Sequence, residues 1–226
     1  MHDLDAFLAE LDAWAEERDP GAETLAYGRH PDQAVDLRRG GPQTAILLHG
    51  GFWRPAFTRA NTRALAVDLA LRGWTTWNVE YRRTGVHDTL EDVAAALALT
   101  GRGTAIGHSA GGHLALWAAG TGAVDRAVAL AGVSDLARGA RERIGANAVA
   151  EFAGPEPPAD ADPMRRLPLV VPALLVHGTE DDRVPVEYSR SFAAASGAEL
   201  LELPGIGHFE PIDPRSDAWA AVLERL

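Results

Sequence analysis

The stretch AIGHSAGGHLAL, residues 105–116, ends an apolar run and places Ser109 among glycines. The run predicts a buried strand, and the segment that follows predicts a helix that stops at glycine. Between them GHSAG fits the G-x-S-x-G pattern, whose serine stands on a sharp strand-to-helix turn. A Cβ at Gly107 or Gly111 would collide with neighbouring backbone in such a turn. The stretch therefore predicts a nucleophilic Ser109 at a helix N-terminus, where a developing anion is favoured; a capping serine in a glycine-rich turn is the alternative.

Outward from this stretch, strand-like and helix-like segments alternate from residue 43 to the end of the sequence. The strand-like segments are TAILLHG, WTTWNVEY, GTAIGHS, RAVALAG, VPALLVHG and AELLELPG. One of the helical segments between them opens on Asp88 as its expected cap. This alternation predicts an α/β fold with a mostly parallel central sheet and helices on both faces. Two earlier segments, TLAYG and AVDLRRG, predict an antiparallel hairpin at the N-terminal edge of the sheet.

The whole sequence, residues 1–226, is predicted to form one domain, because a single core supports a chain of this length. The domain opens with a helix, one face of which carries Leu4, Phe7, Leu8, Leu11 and Trp14. Only residues 134–168 break the alternation, with one or two short helices followed by the proline-rich loop GPEPPADADP. We expect this segment to be a small lid-like excursion over the sheet. Ligands bind beyond the carboxyl ends of parallel strands, so the loops that follow the strands should carry the chemistry.

Composition excludes several classes of function. The chain has no cysteine, so it holds neither a disulfide framework nor a thiolate metal site. A formal net charge of −11 disfavours nucleic acids and anionic membranes as partners. The N-terminal segment lacks the basic start of a signal peptide, and no apolar run approaches the length of a membrane span. We therefore expect a cytoplasmic protein without nucleic-acid or membrane partners; its oligomeric state is not predicted.

A serine hydroxyl needs a base, and hydrolases of this topology place the acid and then the histidine after the serine in chain order. His208, in the loop LPGIGHFEP before the last helix, fits that order and is the predicted base. His113 lies one helical turn beyond Ser109, away from the exposed end. His49 and His177 precede glycines at strand ends and are predicted to be structural.

Two further parts of the site are predicted. The acid that orients the base should follow the strand ALLVHG, where residues alone leave Glu180, Asp181 and Asp182 as candidates. The loop LLHGGFWR, after the first buried strand, is glycine-rich enough to turn backbone N–H groups toward a substrate oxygen. The expected oxyanion donors are the N–H groups of Gly51 and Phe52 from this loop and of Ala110, which follows the serine.

Residues next to the predicted nucleophile and in the loop after the first buried strand are candidates for the wall of a substrate pocket. Trp53 either lines a substrate pocket with Phe52 or packs in the core, and the sequence leaves both open. His108, which directly precedes Ser109, is a second candidate for the substrate pocket.

Four motifs in order, HGGFW, GHSAGG, HGTEDDRVP and GHF, resemble the α/β-hydrolase superfamily over nearly the whole chain from about residue 30. Within it, HGGFW is similar to the HGGxW signature of kynurenine formamidases (arylformamidases) and related carboxylesterases. YRR at residues 81–83 is similar to the YR of esterases with an HGG loop. The H-G-x-x-D-x-x-V-P pattern of the superfamily falls on Asp181, so the resemblance implies a catalytic triad of Ser109, Asp181 and His208.

The resemblance also implies a function. We expect a serine hydrolase that cleaves a small carboxylic ester or aryl formamide through an acyl-enzyme intermediate, with no cofactor and no metal. A small-molecule ester or amide is then the partner. Two alternatives remain, because fold alone does not determine function. One is a non-catalytic ligand-binding module on the same fold, and the other is an acyl transferase that uses the same triad.

Overall fold

The protein is described by a computed structural model that covers residues 4–226; residues 1–3 of the predicted domain lie outside the described residues. Its strands are β1 Glu23–Ala26, β2 Ala34–Arg38, β3 Thr44–Leu48, β4 Thr75–Val79, β5 Thr104–His108, β6 Arg126–Leu130, β7 Ala173–Gly178 and β8 Glu199–Leu203. Its helices are α1 Leu4–Arg18, α2 Ala60–Leu71, α3 Val86–Thr100, α4 Ala110–Thr121, α5 Leu136–Glu142, α6 Ile144–Ala153, α7 Glu187–Ser196 and α8 Asp217–Leu223. Short 3₁₀ turns occupy Pro163–Arg166 and Glu210–Ile212.

The strands form one eight-stranded sheet in the order β1-β2-β4-β3-β5-β6-β7-β8. From β4 to β8 all neighbours are parallel. β1 pairs antiparallel with β2, and β2 pairs antiparallel with β4. The α/β-hydrolase fold class, with a mostly parallel sheet and an antiparallel N-terminal edge hairpin, is therefore confirmed.

Helices cover both faces of the sheet, which explains why the central strands are almost continuously apolar. On one face, α1, α2 and α8 pack Leu11, Leu65 and Trp219 against strand residues such as Leu47 and Ile106. On the other face, the apolar side chains of α3, α4 and α7 pack against residues of the opposite strand parity. The side chains of successive strand residues thus pack into the cores on opposite faces of the sheet, as the pleat of a strand requires. No helix within residues 4–226 is long and apolar enough to span a bilayer.

The start of α3 differs from the sequence expectation. Asp88 lies in the first turn of the helix and does not cap it, because α3 begins at Val86 and Gly85 is the residue at the N-cap. Gly85 has a φ of 136°, which residues with a side chain rarely adopt. The helix therefore begins two residues before Asp88. The carboxylate of Asp88 instead accepts hydrogen bonds from Arg82 and Thr84 in the loop before the helix.

Residues 134–168 form two short helices, α5 and α6, followed by a loop and a 3₁₀ turn. Residues 145–147 within α6 have left-handed φ and ψ, which kinks the segment and turns it toward the rest of the molecule. The buried carboxylate of Asp162 accepts hydrogen bonds from the backbone N–H groups of Leu136 and Ala137, so the end of the excursion is tied to its start. Its apolar side chains form a third core cluster with Trp53 and Tyr188.

Helix α1 is anchored by a buried ion pair. The guanidinium of Arg38, only 2% exposed, binds Asp19 through two hydrogen bonds of 2.8 and 2.6 Å. Arg63 bonds Asp19 as well, at 3.3 Å, and reaches Asp12 on α1 at 3.1 Å. The fixed geometry of the two-pronged Arg38–Asp19 pair sets where α1 leaves the sheet.

Replacing Asp19 should destabilise the fold far more than replacing Asp12. Asp19→Ala leaves a buried guanidinium without its partner, and we expect the free energy of unfolding to fall by about 3–5 kcal/mol. Asp12→Ala removes only the bond to Arg63 from a side chain that is 47% exposed, and we expect a loss below about 1 kcal/mol. Urea denaturation of the two variants measures the difference. Equal losses would show that the pair does not anchor the helix.

Candidate active site

Ser109 stands at the junction of β5 and α4 in a strained backbone conformation, with a φ of 55° and a ψ of −114°. Its N–H donates to the carbonyl of Leu130 on the neighbouring strand, at 2.8 Å. Its carbonyl accepts from the N–H of His113, at 3.1 Å, and so starts the hydrogen bonds of α4. The chain therefore passes from strand to helix at one residue, which lines a cavity beyond the carboxyl end of β5.

The surrounding glycines are required by close backbone contacts. A Cβ on Gly107 would overlap the carbonyl group of Gly111, and a Cβ on Gly111 would overlap the carbonyl group of Leu48 at the end of β3. A Cβ on Gly112 would lie 2.6 Å from the Cα of Gly132. Only glycine fits at these positions, so α4 starts directly against the carboxyl ends of the strands.

His208 and Asp181 come together in the loops after β8 and β7. Nδ1 of His208 donates to Oδ2 of Asp181 at 2.6 Å, and the side chain of Asp181 is fully buried. Since Nδ1 holds a proton in this bond, Nε2 is the nitrogen free to accept one. His208 and Ser109 line the same cavity.

Asp181 is held as a carboxylate by the groups around it. Its Oδ1 accepts from the N–H groups of Arg183 and Val184, each at 2.8 Å. Nε2 of His177 donates to Val184 O and lies 3.1 Å from Oδ2 of Asp181. Burial by itself would raise the pKa of Asp181, but the hydrogen bonds from His177 and His208 outweigh it and hold the pKa well below the ordinary value.

The other two acid candidates form no hydrogen bond with His208. Glu180 is exposed, and its N–H donates to the carbonyl of Ile206. The side chain of Asp182 is 70% exposed and pairs with Arg183 at 3.3 Å. Among the three acidic residues that the sequence left open, Asp181 is the one in contact with His208.

Two of the three residues predicted as oxyanion donors lie in the loop after β3, and the third begins α4. Gly51 and Phe52 line the cavity beside Ser109, with φ values of 109° and 52°. Ala110 is fully buried as the first residue of α4. The loop residues and the helix N-terminus are thus placed on the same side of the sheet, where N–H groups not used by the helix can meet a substrate oxygen.

A buried carboxylate also holds this loop. Nε2 of His49 donates to Oε1 of Glu80 at 2.9 Å, and the N–H of Arg59 donates to Oε2 at 2.9 Å. Arg83 forms an ion pair with the same carboxylate. The hydroxyl of Tyr81 donates to the carbonyl of His49 at 2.6 Å, and the two rings stack. His49 is therefore structural, as predicted, and it anchors the loop that contains Gly51 and Phe52.

The cavity at this site has a volume of about 380 Å³. One part of its wall is apolar and consists of Leu4, Leu8, Phe57, Phe209 and Ile212. The remaining wall includes Phe52, Gly145 and Ala146 together with the polar residues Arg54, Asn61, Asp182 and Arg183. Arg54 donates to the carbonyl of Gly145 at 3.0 Å and so fixes the left-handed turn of α6 against the loop after β3.

The two candidates for the substrate pocket have different surroundings. Trp53 is 3% exposed and stacks on Phe152, with 4.3 Å between ring centroids, so it packs in the core under the excursion and not in the wall of this cavity. His108 does line the cavity, but its Nε2 donates to the backbone carbonyl of His208 at 2.9 Å. His113 is buried one turn along α4 and bonds Ala161.

Several residues of the site carried no local sequence signal. No local pattern distinguishes Glu80 from other acidic residues, because only the fold brings it into contact with His49. The sequence predicts Leu4 and Leu8 on one face of an amphipathic helix, but that pattern does not say which surface the face covers. The glycine at position 145 and the asparagine at 147 are the signals that could have indicated the left-handed turn beside the cavity.

The fold and the site together define an α/β-hydrolase: a nucleophile elbow after β5, a glycine-rich loop after β3, and a histidine bonded to a buried carboxylate after β8 and β7. Residues 85–199 match the prolyl oligopeptidase family, and the chain belongs to that family. The matched segment contains Ser109 and Asp181, whereas HGGFW and His208 lie outside it. The superfamily expected from the four motifs is thereby confirmed.

Three individual proteins show how similar this chain is to known esterases in sequence or in fold. Esterase LipC of Mycobacterium tuberculosis is 30% identical over 247 aligned residues, which cover 84% of this chain; the chain spans 60% of the length of that relative. A thermophilic esterase, Est2, of the Planctomycetes species Thermogutta terrifontis has a TM-score of 0.74 at 24% identity, over 91% of this chain and 90% of the other. A truncated carbohydrate esterase from gut microbiota has a TM-score of 0.75 at 17% identity, over 93% and 96%. These structural likenesses show the fold.

Glu80→Gln should remove a pH-dependent part of the stability. Burial raises the pKa of Glu80, but the bond and charge of His49 outweigh it and, with Arg59 N–H and Arg83, lower the pKa from 4.5 to about 2. The carboxylate therefore stabilises the fold fully above pH 4.5, and that contribution is lost as the pH falls toward 2. We expect Glu80→Gln to lower the free energy of unfolding by about 3 kcal/mol at pH 7.

Urea denaturation of the wild type and of Glu80→Gln at pH 7 and at pH 3 isolates this contribution, because the other carboxylates titrate equally in both proteins. The difference between the two proteins should shrink at pH 3. A difference that stays constant would mean that Glu80 is not a stabilising charge beneath the loop.

Proposed function

We propose that the chain is a serine hydrolase that cleaves small carboxylic esters or aryl formamides through an acyl-enzyme intermediate. Ser109 is the nucleophile, His208 the general base and then acid, and Asp181 the group that orients the base. One observation carries the proposal: Ser109, on its strained elbow, shares a cavity with His208, whose Nδ1 lies 2.6 Å from a buried carboxylate.

The protonation pattern determines the direction of proton transfer. Because Asp181 holds the proton on Nδ1 of His208, Nε2 can take the proton of the Ser109 hydroxyl as its oxygen bonds to the carbonyl carbon of the substrate. The π pair of the carbonyl moves to its oxygen, and the N–H groups of Gly51, Phe52 and Ala110 stabilise that negative charge. The imidazolium that results is stabilised by the buried charge of Asp181.

The intermediate then collapses. The bond to the leaving group breaks, His208 returns its proton from Nε2 to the departing oxygen or nitrogen, and the acyl group stays on Ser109. A water molecule gives a proton to Nε2 of His208 and attacks the acyl carbon, and the second collapse releases the carboxylic acid and restores the serine hydroxyl. All bonds and protons balance without a cofactor.

The size and character of the cavity support a small substrate. A volume of about 380 Å³ lies near the lower end of the range for small-molecule sites. Leu8, Phe209 and Ile212 form an apolar wall that suits a short alkyl or aryl acyl group. The polar part of the wall, with Arg54 and Arg183, is better suited to a polar leaving group.

The names of the relatives favour esters over formamides. LipC, Est2 and the carbohydrate esterase from gut microbiota are all esterases. The HGGFW motif, which is similar to the signature of arylformamidases, keeps the formamide within the proposal. An ester and a formamide differ at the leaving atom, since His208 must protonate an oxygen in one case and a nitrogen in the other.

The first test is hydrolysis of p-nitrophenyl acetate, butyrate and octanoate, and of N-formylkynurenine, by the wild type and by Ser109→Ala. We expect short-chain ester hydrolysis to fall by about 10³-fold or more in Ser109→Ala, because the residual rate comes only from the remaining site. A fluorophosphonate probe should label the wild type and not the variant. Full activity in Ser109→Ala, or no turnover and no labelling of the wild type, would contradict the proposal; the second result would favour a ligand-binding module. Turnover of N-formylkynurenine alone would assign a formamidase.

Replacing the buried acid tests its role against its exposed neighbour. Asp181→Asn should lower kcat by about 10⁴-fold, because the amide no longer selects the Nδ1–H tautomer of His208. Glu180→Gln is the matched control, and its kcat should stay near the wild-type value because that side chain is exposed and does not line the cavity. Thermal unfolding of both variants checks that the loop after β7 still folds. Equal kcat values for the two variants would show that Asp181 is not the acid that orients His208.

A further inference from the structure

We propose that His108 is a positioning residue, which holds the backbone of His208 in place from inside the nucleophile elbow. The inference rests on the proposed function of His208 as the base. It assigns a role to the side chain that directly precedes Ser109, where the sequence suggested only a substrate-pocket residue.

The contact itself is specific. Nε2 of His108 lies 2.9 Å from the carbonyl oxygen of His208, and a carbonyl can only accept, so Nε2 carries the proton and donates. Both residues are 4% exposed, and their ring centroids lie 4.7 Å apart. The bond therefore links β5, the strand that ends at the nucleophile, to the residue that is proposed to act as the base.

The opposite side of His108 is held as well. A Cβ on Gly50 would lie 3.0 Å from Nδ1 of His108 and 2.8 Å from its carbonyl oxygen, so the glycine-rich loop after β3 packs directly against this residue. The ring of Phe209 lies 5.9 Å from the ring of His108. His108 thus stands between the oxyanion loop and the base, and it fixes the spacing between them.

The other ties of the base loop hold neighbouring residues. The N–H of Gly205 donates to Oγ1 of Thr179 at 3.0 Å, and the N–H of Glu180 donates to the carbonyl of Ile206 at 3.0 Å. Both ties hold the loop two or three residues before His208. The bond from His108 is made at the base residue itself, so it limits the rotation of the peptide that carries the imidazole.

The side chain is suited to this task because it stays neutral. Burial, helped by any positive charge on His208, lowers the pKa of His108 to about 3, although the hydrogen bond to the carbonyl of His208 and the charge of Asp181 oppose the shift. His108 therefore neither competes with His208 for the serine proton nor opposes, by like charge, the imidazolium that forms there. A positive charge on His177 would also lower the pKa of His108.

His113 offers a matched control within the same helix-and-strand unit. Its Nε2 also donates to a backbone carbonyl, that of Ala161, at 2.8 Å, and its side chain is also buried. Burial lowers its pKa to about 4. The two histidines make the same kind of bond, but His113 holds the excursion and His108 holds the base.

The experiment compares the full-length variants His108→Leu, His108→Gln, His113→Leu and His113→Gln. The amide nitrogen of glutamine lies the same number of bonds from Cα as Nε2 of histidine, so glutamine can restore the donor and leucine cannot. We measure kcat and KM for p-nitrophenyl acetate, thermal unfolding, and the downfield ¹H resonance of the Nδ1 proton of His208 in its short bond to Asp181.

We expect His108→Leu to lower kcat by at least about tenfold, toward the roughly 100-fold that a misplacement of about 1 Å can cost, with little change in KM. The Nδ1 resonance should broaden or shift, and His108→Gln should recover most of kcat and the resonance. His113→Leu should lower the unfolding temperature while kcat and the resonance stay as in the wild type.

An unchanged kcat in His108→Leu, or an equal loss of kcat in His113→Leu, would overturn the inference. If His108→Leu does not fold, His108→Asn replaces it, because its amide is one bond too short to reach the carbonyl; equal kcat in the Asn and Gln variants then overturns it. If the wild type hydrolyses none of the substrates, the proposed function fails. The resonance still decides the positioning role, since it must change in His108→Leu and not in His113→Leu.

Discussion

The close approach of backbone segments at the nucleophile elbow determines how the rest of the site is arranged. Gly111 packs its Cα against the carbonyl end of β3, and Gly112 packs against Gly132 at the end of β6. Because no side chains intervene, the loop after β3 and the N-terminus of α4 are brought side by side, with Ser109 between them. A methyl group at Gly111 would overlap the carbonyl groups of Leu48 and His49 and would push the loop after β3 away from the nucleophile.

Two buried histidine–carboxylate pairs then fix the two loops that flank the elbow. His208 is held by Asp181 on one side, and His49 is held by Glu80 on the other. In each pair the carboxylate also accepts backbone N–H groups, from Val184 in one case and from Arg59 in the other. Such pairs are costly to desolvate, so each carboxylate keeps its charge only because several donors bond it, and the same donors fix the position of the loop.

The sequence predicted those features that depend on short-range constraints. The elbow, the sheet and the position of His208 follow from glycine spacing, apolar runs and chain order. Residue chemistry could not choose among Glu180, Asp181 and Asp182, since only the tertiary fold buries one of them. For the same reason no sequence pattern identifies Glu80 or the cavity-facing side of α1. The pattern LDAFLAEL indicates an apolar face, but the surface that this face covers depends on the Asp19–Arg38 ion pair, which joins the end of α1 to β2.

Backbone strain is concentrated where these constraints meet. Phe52, Ser109 and Ala146 have positive φ values and line the cavity, although each carries a Cβ. Each such residue costs of order 1–3 kcal/mol, which the surrounding packing and hydrogen bonds must offset. At Ser109 the strain accompanies the sharp turn from β5 into α4, and at Phe52 it accompanies the turn of the loop that lines the cavity. The strained residues thus include the proposed nucleophile and one proposed oxyanion donor, and the neighbouring groups Gly111, Glu80 and Arg54 hold the strained segments in place.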